Sequence, residues 1–302
     1  MIEISKLCKT FDDTQAIRNL DLVVRERELF GLIGTNGAGK STLMRLIAGI
    51  FKADSGSITV DGERAYENPR AKRMVFFITD DPYFFPNATP GKMAEYYRAI
   101  YPDFDVPRAM SLMEGLGLDT GRAIAGFSKG MKKQTALILG ICSGTRYLLC
   151  DETFDGLDPV MRQAAKSMLA ADMESRGLTP VLTSHNLREL EDVCDHVGLL
   201  HRGGVLLSRD LNEMKLGISK VQCVFPSDEE MEKAERLMGD ILIHNSRGRL
   251  HSYTVRSSAE ALDNIFRYLD TVFYEILPLT LEEIFISETE VAGYDIKSLL
   301  FE

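Results

Sequence analysis

Residues 34–42 have the residue types and the spacing that hold a phosphate group. Their sequence, Gly-Thr-Asn-Gly-Ala-Gly-Lys-Ser-Thr, matches the pattern G-x-x-x-x-G-K-[ST]. The glycines allow backbone conformations in which successive N–H groups turn toward one anion. Lys40 can reach the β- and γ-phosphates, and the hydroxyl of Ser41 can ligate Mg²⁺. These residues predict a site for a nucleoside triphosphate with its magnesium ion.

The segments on either side of this loop must position it. Residues 28–33 are mostly apolar and predict a buried strand, whereas residues 41–49 predict a helix. The N-terminus of that helix adds unpaired N–H groups and the positive end of a dipole. A purely structural glycine turn is the weaker interpretation, because strand–loop–helix is the context that the pattern requires.

Two adjacent acids, Asp151 and Glu152, follow residues 146–150, which predict a second buried strand. The carboxyl ends of such strands are where open α/β sheets bind ligands. One carboxylate there can hold Mg²⁺ through water while the next polarises an attacking water. Adjacent acids on a loop are more often simply solvated, but the apolar strand before them and the phosphate loop favour a catalytic role.

Ser128, Gly130 and His185 each have a structural and a functional interpretation. Ser128 and Gly130 precede a helix predicted at residues 132–142, and an N-cap is the better interpretation of that stretch alone. The functional interpretation is a second phosphate cradle. His185 follows a strand predicted at residues 179–184. Alone it is best explained as a structural histidine, but its place in the same predicted sheet as the phosphate loop favours contact with the γ-phosphate.

Strands that alternate with helices predict an α/β fold, with a largely parallel sheet covered on both faces. We place this domain at residues 1–214, with a helical subdomain at about 86–145. Residues 218–302 predict a small α+β domain in which the order βαββαβ is followed by a helix, as in a split βαβ motif. The alternative is a few elements appended to the main domain without a core of their own.

Composition argues against several classes of function. The 302 residues carry a formal net charge of −10, which is unfavourable for a nucleic-acid surface as the main partner. No apolar run is as long as a bilayer span, and the N-terminus lacks the apolar segment of a signal peptide. The five cysteines are scattered without C-x-x-C spacing, so a cysteine metal site is not expected and a reducing cytoplasm fits.

Together and in this order, these stretches resemble the ATP-binding subunits of ABC transporters over residues 1 to about 212. Residues 127–131, Phe-Ser-Lys-Gly-Met, resemble the family signature, and Lys129 and Met131 depart from its commonest form, Leu-Ser-Gly-Gly-Gln. Asp151 and Glu152 match the magnesium-binding and catalytic acids, residues 156–158 match the D-loop, and His185 matches the switch histidine. The order and spacing of five motifs make the resemblance specific.

The resemblance implies a P-loop NTPase that binds ATP and Mg²⁺ and powers a separate integral-membrane permease. Two copies, or one copy and a related subunit, would face head to tail, with each ATP between the phosphate loop of one and residues 128–130 of the other. The protein would lie in the cytoplasm, on the inner face of the cell membrane through the permease. The form S-x-G-M is frequent in subunits that resemble exporter ATPases, which favours export.

The resemblance also implies roles for single residues. An aromatic residue after the first strand stacks on adenine in this family, and Phe11 stands there. Glu152, His185 and Lys40 would be the catalytic residues. The nucleotide-binding residues would be Phe11, Gly34, Asn36, Gly37, Ala38, Gly39, Lys40, Ser41, Thr42, Ser128 and Gly130, and the metal-binding residues Ser41, Asp80 and Asp151.

Asp80 is the departure from the family pattern that matters most. It stands where the family has the glutamine of the Q-loop, so both the usual metal contact and the coupling to the permease are affected. A carboxylate oxygen can also ligate Mg²⁺, but Asp is one methylene shorter, so we expect Asp80 to act through a bridging water. The alternative is that Asp80 only caps the turn at residues 81–82.

Two other classes of function are open to this sequence. One is a soluble ABC-family ATPase that acts on ribosomes or DNA. Translation-type members usually carry two ATP-binding domains, and DNA-repair types insert a long coiled coil; this sequence has one ATP-binding domain and no heptad run. The other is a binding module that is regulated by nucleotide and hydrolyses little of it. This class would be favoured if Glu152 could be replaced without loss of function.

Overall fold

An antiparallel sheet begins the chain in this computed structural model, which describes residues 1–155, 157–191, 193–211 and 217–291. Its strands are β1 (Ile2–Phe11), β2 (Thr14–Val24), β4 (Ser55–Val60) and β5 (Glu63–Arg64), in the order β2-β1-β4-β5. Burial alternates along much of β1 and β2. Such alternation is typical of a sheet with one face on the core and one face in solvent.

The second sheet has six strands and carries the edge at which the predicted site residues end. Its strands are β3 (Phe30–Ile33), β6 (Val75–Ile78), β7 (Tyr147–Asp151), β8 (Thr179–Ser184), β9 (His196–His201) and β10 (Gly204–Asp210), in the order β10-β9-β3-β8-β7-β6. The pairs from β9 to β6 are parallel, and every residue of β3, β7 and β8 is buried. The predicted α/β class, with a largely parallel sheet, is confirmed.

Helix α1 (Lys40–Ile47) lies against both sheets. Its residues Leu43, Met44 and Ile47 are buried in a core that also contains Ile2 of β1 and Leu149 of β7. Three more helices belong to this part of the chain: α2 (Pro69–Arg73), α6 (Pro159–Arg176) and α7 (Leu187–Glu191). Because α1 is held by apolar contacts on two sides, its N-terminus has a fixed position at the end of β3.

Three helices fall within the predicted helical subdomain: α3 (Pro90–Ile100), α4 (Val106–Gly115) and α5 (Lys129–Ile141). Each begins at a residue whose side-chain oxygen accepts the N–H three positions later, and these caps are Thr89, Asp105 and Ser128. Helix α5 therefore begins three residues before the predicted position 132, because Ser128 satisfies its first turn.

The second part of the chain forms an α+β unit with its own apolar core. Its elements are β11 (Ser219–Val224), α8 (Asp228–Met238), β12 (Ile241–Arg247), β13 (Leu250–Val255), α9 (Ala259–Phe266), β14 (Phe273–Leu277) and α10 (Leu281–Val291). The strand order is β12-β13-β11-β14, and all neighbouring pairs are antiparallel. This is the arrangement expected of the split βαβ motif. Val221, Tyr253 and Phe266 are buried in its core.

The chain divides into two compact units, Met1–Ser208 and Arg209–Glu302. The boundary predicted from sequence, between 214 and 218, falls mostly on residues 212–216, which lie outside the described part of the chain. Within the described residues, no helix has the length and apolar character needed to cross a bilayer.

Candidate active site

The conformation of the phosphate loop explains why its glycines are needed. Gly37 and Gly39 have φ values of 79° and 106°, in the region that residues with a Cβ rarely adopt. A Cβ at Gly39 would lie 2.6 Å from the carbonyl oxygen of Ala16, and a Cβ at Gly34 would lie 2.4 Å from that of Leu200. The backbones of β2 and β9 thus approach the loop so closely that only glycine fits at these two positions.

Helix α1 presents its N-terminus to this loop. Its N-cap is Gly39, which provides no side-chain hydrogen bond to the first turn. The N–H groups of the first turn of a helix have no partners within the helix, and they favour an anion at that end. The loop and the helix together are therefore suited to bind phosphate.

The side chain of Lys40 is buried beneath the loop, with 4% of its surface exposed. Its Nζ donates hydrogen bonds to the carbonyl oxygens of Gly34 (2.6 Å) and Thr35 (3.2 Å), and it lies 3.8 Å from Oε1 of Glu152. Burial lowers the pKa of Lys40, while the nearby carboxylates of Glu152 and Asp151 oppose that shift. The side chain is thus held by the backbone of the same loop that would receive the phosphates.

Ser41 and Asp151 come together from different elements. The Ser41 hydroxyl donates to Oδ1 of Asp151 at 3.1 Å, and the Thr183 hydroxyl donates to the same oxygen at 2.7 Å. In an octahedral site with bonds of about 2.1 Å, adjacent ligand oxygens lie about 3 Å apart. A hydroxyl and a buried carboxylate at this spacing fit a magnesium ion, and these two residues would hold it.

Glu152 follows β7 in a conformation that is unusual for a residue with a side chain. Its φ is 48°, and its backbone N–H donates to the hydroxyl of Thr183 at 3.0 Å. Non-glycine residues in this region often occur at functional sites, where the surrounding structure holds them. The carboxylate is partly exposed, with Oε1 3.8 Å from Lys40 Nζ and 3.9 Å from His185 Nδ1.

His185 lies directly after β8, as predicted, and faces two acids. Its Nδ1 is 2.9 Å from Oδ2 of Asp155 and 3.9 Å from Oε1 of Glu152. Potential ligand atoms of the three residues all lie within 4.8 Å of one another. Asp155 is not among the site residues predicted from the sequence, although four acids within residues 151–158 point to this segment.

Asp80 has a partner that the sequence did not predict. Its Oδ1 is 2.8 Å from Nζ of Lys133, a residue of α5 with 2% of its side chain exposed. The same Nζ donates to the carbonyl oxygens of Glu152 (2.7 Å) and Asp155 (3.0 Å). A carboxylate and two main-chain carbonyls therefore account for the three hydrogens of the ammonium group.

A cavity of about 390 Å³ opens beside the phosphate loop. It is lined by Thr14, Gln15, Ala16, Arg18, Thr35, Asn36, Gly37, Gly39, Lys40, Ser41, Thr42, Glu152 and Arg202. Phe11 is not in this lining. Its ring packs edge-on against Phe51, with centroids 5.2 Å apart, and Nζ of Lys9 lies 5.1 Å from its centroid. Arg18 and Arg202 were not singled out from sequence, because only the fold brings them to the loop.

Ser128 and Gly130 lie outside that lining, at the start of α5. The Ser128 hydroxyl accepts the N–H of Met131 at 3.2 Å, so the N-cap interpretation of this residue is correct. Ser128 is exposed and Gly130 is partly exposed, so a ligand can reach both. Gly156, the first residue of the predicted D-loop, lies outside the described residues.

Several known proteins are similar to this chain in sequence. Residues 17–155 match the ABC transporter family. The chain is 31% identical to the ABC transporter ATP-binding protein YtrB of Bacillus subtilis over 95% of its own length and 98% of that protein. It is 28% identical to the bacitracin transport ATP-binding protein BcrA of Bacillus licheniformis, over 71% of each chain. It is 27% identical to a fluoroquinolones export ATP-binding protein of Mycobacterium tuberculosis, over 83% of this chain and 86% of that one.

Solved structures have the same fold. An ATP-binding subunit of an ABC transporter superposes with a TM-score of 0.66 and 26% identity, over 71% of this chain and 92% of the other. A dimeric ATP-binding cassette in a post-hydrolysis state, bound to ADP and Pi, superposes with a TM-score of 0.63 and 18% identity, over 70% of this chain and 99% of that one.

Proposed function

This chain belongs to the family of ABC transporter ATP-binding proteins, and we propose that it hydrolyses ATP to drive a separate membrane permease. The observation that carries the proposal is the convergence of four side chains, of which Lys40, Ser41 and Glu152 line one cavity. Ser41 and Asp151 are hydrogen-bonded to each other, and Lys40 and Glu152 lie 3.8 Å apart. Phosphoryl transfer requires positioning and charge stabilisation more than covalent chemistry, and this set of groups can supply both.

Each side chain has a distinct part in the proposed reaction. Ser41 and Asp151 would hold Mg²⁺, which when bound supplies positive charge to phosphate oxygens. Lys40 neutralises charge on the phosphates, and the N–H groups of α1 bind the same anion. Glu152 accepts a proton from the attacking water and orients it. His185, held by Asp155 at 2.9 Å, contacts the γ-phosphate.

The proposal includes a second copy of the chain. Ser128 and Gly130 are accessible but lie outside the cavity lined by the phosphate loop. Residues 128–130 of a second copy, facing head to tail, would close over the nucleotide with the N-terminus of α5. A cassette with the same fold is dimeric, which supports a role for a second copy.

Exposed aromatic side chains indicate where the permease would dock. Tyr83 is 73% exposed, Phe85 43% and Tyr96 42%. Tyr83 and Phe85 lie between β6 and α3, and Tyr96 lies on α3. An apolar groove of about 330 Å³ lies next to them, and its lining includes Phe76, Pro82 and Tyr83. Aromatic residues dominate the energetics of protein interfaces. We assign this surface to a cytoplasmic segment of the permease with an apolar face.

The direction proposed is export. The relatives named for bacitracin transport, lantibiotic transport and fluoroquinolones export have sequences similar to this chain. A soluble ATPase that acts on ribosomes or DNA is not favoured, because these relatives are named as transport proteins. The sequence signature S-x-G-M at residues 128–131 is consistent with the export group.

Replacement of Lys40 tests the proposed activity. Removing one preorganised charge contact typically costs about 10²–10³ in rate, so Lys40→Ala should lose ATPase activity measured as phosphate release. Lys52→Ala, which removes the same charge from an exposed lysine, is the matched control and should keep the wild-type rate. Wild-type turnover in Lys40→Ala, or no turnover in the wild-type chain with its permease, would contradict the proposal.

A further inference from the structure

Lys133 is a buried cation whose hydrogen bonds connect a helix to the segment that carries the catalytic acid. Its Nζ contacts the main-chain oxygens of Glu152 and Asp155 at 2.7 and 3.0 Å, and Oδ1 of Asp80 at 2.8 Å. A buried ammonium is stable only when its hydrogens are paired. Lys133 therefore cannot move without either breaking these contacts or moving the groups that make them.

The contacts fix Glu152 from two sides. The N–H of Glu152 is held by Thr183 and its carbonyl oxygen by Lys133, while its φ of 48° is unfavourable for a residue with a Cβ. The lysine thus helps to stabilise an uncommon backbone conformation that directs the carboxylate toward Lys40. Through the carbonyl of Asp155, it also fixes the residue that lies 2.9 Å from His185.

Lys133 lies in the same helix, α5, as the signature residues. Helix α5 begins at Lys129 and is capped by Ser128, so the signature residues 128–130 and Lys133 lie within its first two turns. One helical segment therefore carries both the residues proposed to contact the nucleotide of a second copy and the cation that holds the catalytic segment of its own copy.

We propose that Lys133, with Asp80 as its counter-ion, is a positioning residue for ATP hydrolysis. It makes the signature end of α5 and the segment with Glu152 and Asp155 move as one unit, so that contact of the signature with a second nucleotide sets the position of Glu152. The inference rests on the proposed ATPase function. It gives Asp80 a role that does not require the metal, in place of the metal contact predicted from sequence.

The first test is Lys133→Met, which keeps the length and loses the charge and the three hydrogen bonds. A displacement of about 1 Å in a catalytic group can cost about 10²-fold in rate. We expect kcat to fall by about that factor while KM for ATP stays unchanged, because Lys133 contacts protein oxygens rather than the nucleotide. Lys133→Arg, which keeps the charge, should recover part of kcat.

Arg108→Met is the matched control. Arg108 of α4 is paired with the buried carboxylate of Asp172 in α6, with nitrogen–oxygen distances of 2.5 and 3.1 Å, away from Glu152 in sequence and in its contacts. This variant should lower Tm without changing kcat per folded chain. If Lys133→Met also lowers Tm but keeps the wild-type kcat, Lys133 only stabilises the fold and the inference is wrong.

Asp80→Asn tests the ion pair from its other partner. Asp80 is half exposed, so its replacement creates no cavity in the core. We expect a lower kcat, an unchanged Mg²⁺ concentration for half-maximal activity, and little further loss when Asp80→Asn is combined with Lys133→Met. Independent, additive losses, or a change only in the Mg²⁺ requirement, would overturn the ion-pair role. An inactive wild-type chain would instead contradict the proposed function itself.

Discussion

At the scale of single residues, Thr183 has a hydroxyl that contacts both Asp151 and Glu152. It stands opposite Asp151 in the parallel pairing of β7 with β8. Its hydroxyl donates to Oδ1 of Asp151 at 2.7 Å and accepts the N–H of Glu152 at 3.0 Å. One buried hydroxyl thus orients the proposed metal-binding carboxylate and holds the backbone of the proposed catalytic residue.

Thr183→Val tests this role, because it keeps the shape of the side chain and removes both hydrogen bonds. Loss of a group that orients a metal ligand typically costs about 10–100-fold in metal affinity or activity. We expect a loss of ATPase activity in that range and a higher Mg²⁺ concentration at half-maximal rate, measured by phosphate release across a Mg²⁺ titration. Thr183→Ser, which keeps the hydroxyl, should stay close to wild type. Equal losses in the two variants would contradict the role of the hydroxyl.

Residue types and spacing were enough to identify the loop with Lys40 and Ser41, because a phosphate loop is a local structure. Asp151 could be placed at the end of a strand because the residues before it form one apolar run. Thr183 and Lys133 could not be predicted in the same way. Their contacts depend on which strand lies beside β7 and on how α5 packs, and neither is encoded in a short stretch. The nucleotide-binding role of Phe11 stays a prediction, because its ring packs on Phe51 and is not in the lining of the cavity.

At the scale of elements, the segment between β6 and α3 carries the surface assigned to the permease. Tyr83 is its most exposed aromatic residue, at 73%. Removal of a central aromatic anchor from an interface typically costs about 2 kcal/mol or more, which is roughly thirtyfold in affinity. We expect Tyr83→Ser to reduce the fraction of the chain recovered with the membranes of its source cells, while ATPase activity of the isolated chain persists.

Tyr268→Ser is the control for that measurement. Tyr268 is also a highly exposed tyrosine, at 87%, but it belongs to the second unit, after α9. Its replacement should leave membrane recovery unchanged. Equal loss in the two variants, or no loss in Tyr83→Ser, would contradict the assignment of the surface next to α3.

The sequence predicts the types of most helices and strands well, and the strands β7 and β8 show why. β7 and β8 are buried along their whole length, so their apolar runs are continuous. The start of α5 was placed three residues late, because the pattern of apolar residues begins inside the helix whereas the cap at Ser128 is polar. Periodicity locates the buried face of an element, and capping residues locate its ends.

At the scale of the whole molecule, the two units each have a core. The first contains the phosphate loop and the predicted site residues, and the second has buried residues such as Val221, Tyr253 and Phe266. The arrangement of the second unit followed from alternating strand and helix patterns. The boundary could not be placed to the residue, because no proline-rich or glycine-rich linker marks it.

A chain that ends at Leu211 tests whether the second unit is dispensable for nucleotide binding. This chain keeps all of β10. We expect it to unfold in a single cooperative transition and to bind ATP with the affinity of the full chain, because every residue in the lining of the cavity is retained. Calorimetry with and without ATP measures both properties; loss of cooperative unfolding would mean that the second unit completes the core of the first.

The proposed role of Glu152, which is to orient the water that attacks ATP bound by this chain, is tested by Glu152→Gln. A positioned general base contributes about 10²–10⁴-fold to rate, and glutamine keeps the size of the side chain while losing its basicity. In one preparation, phosphate release, retained ATP and mass on a sizing column are measured for this variant and for the wild type. We predict a rate lower by about that factor, ATP still bound, and a dimer that persists with ATP. Hydrolysis at a rate near that of the wild type would contradict this role of Glu152 and assign catalysis to another group.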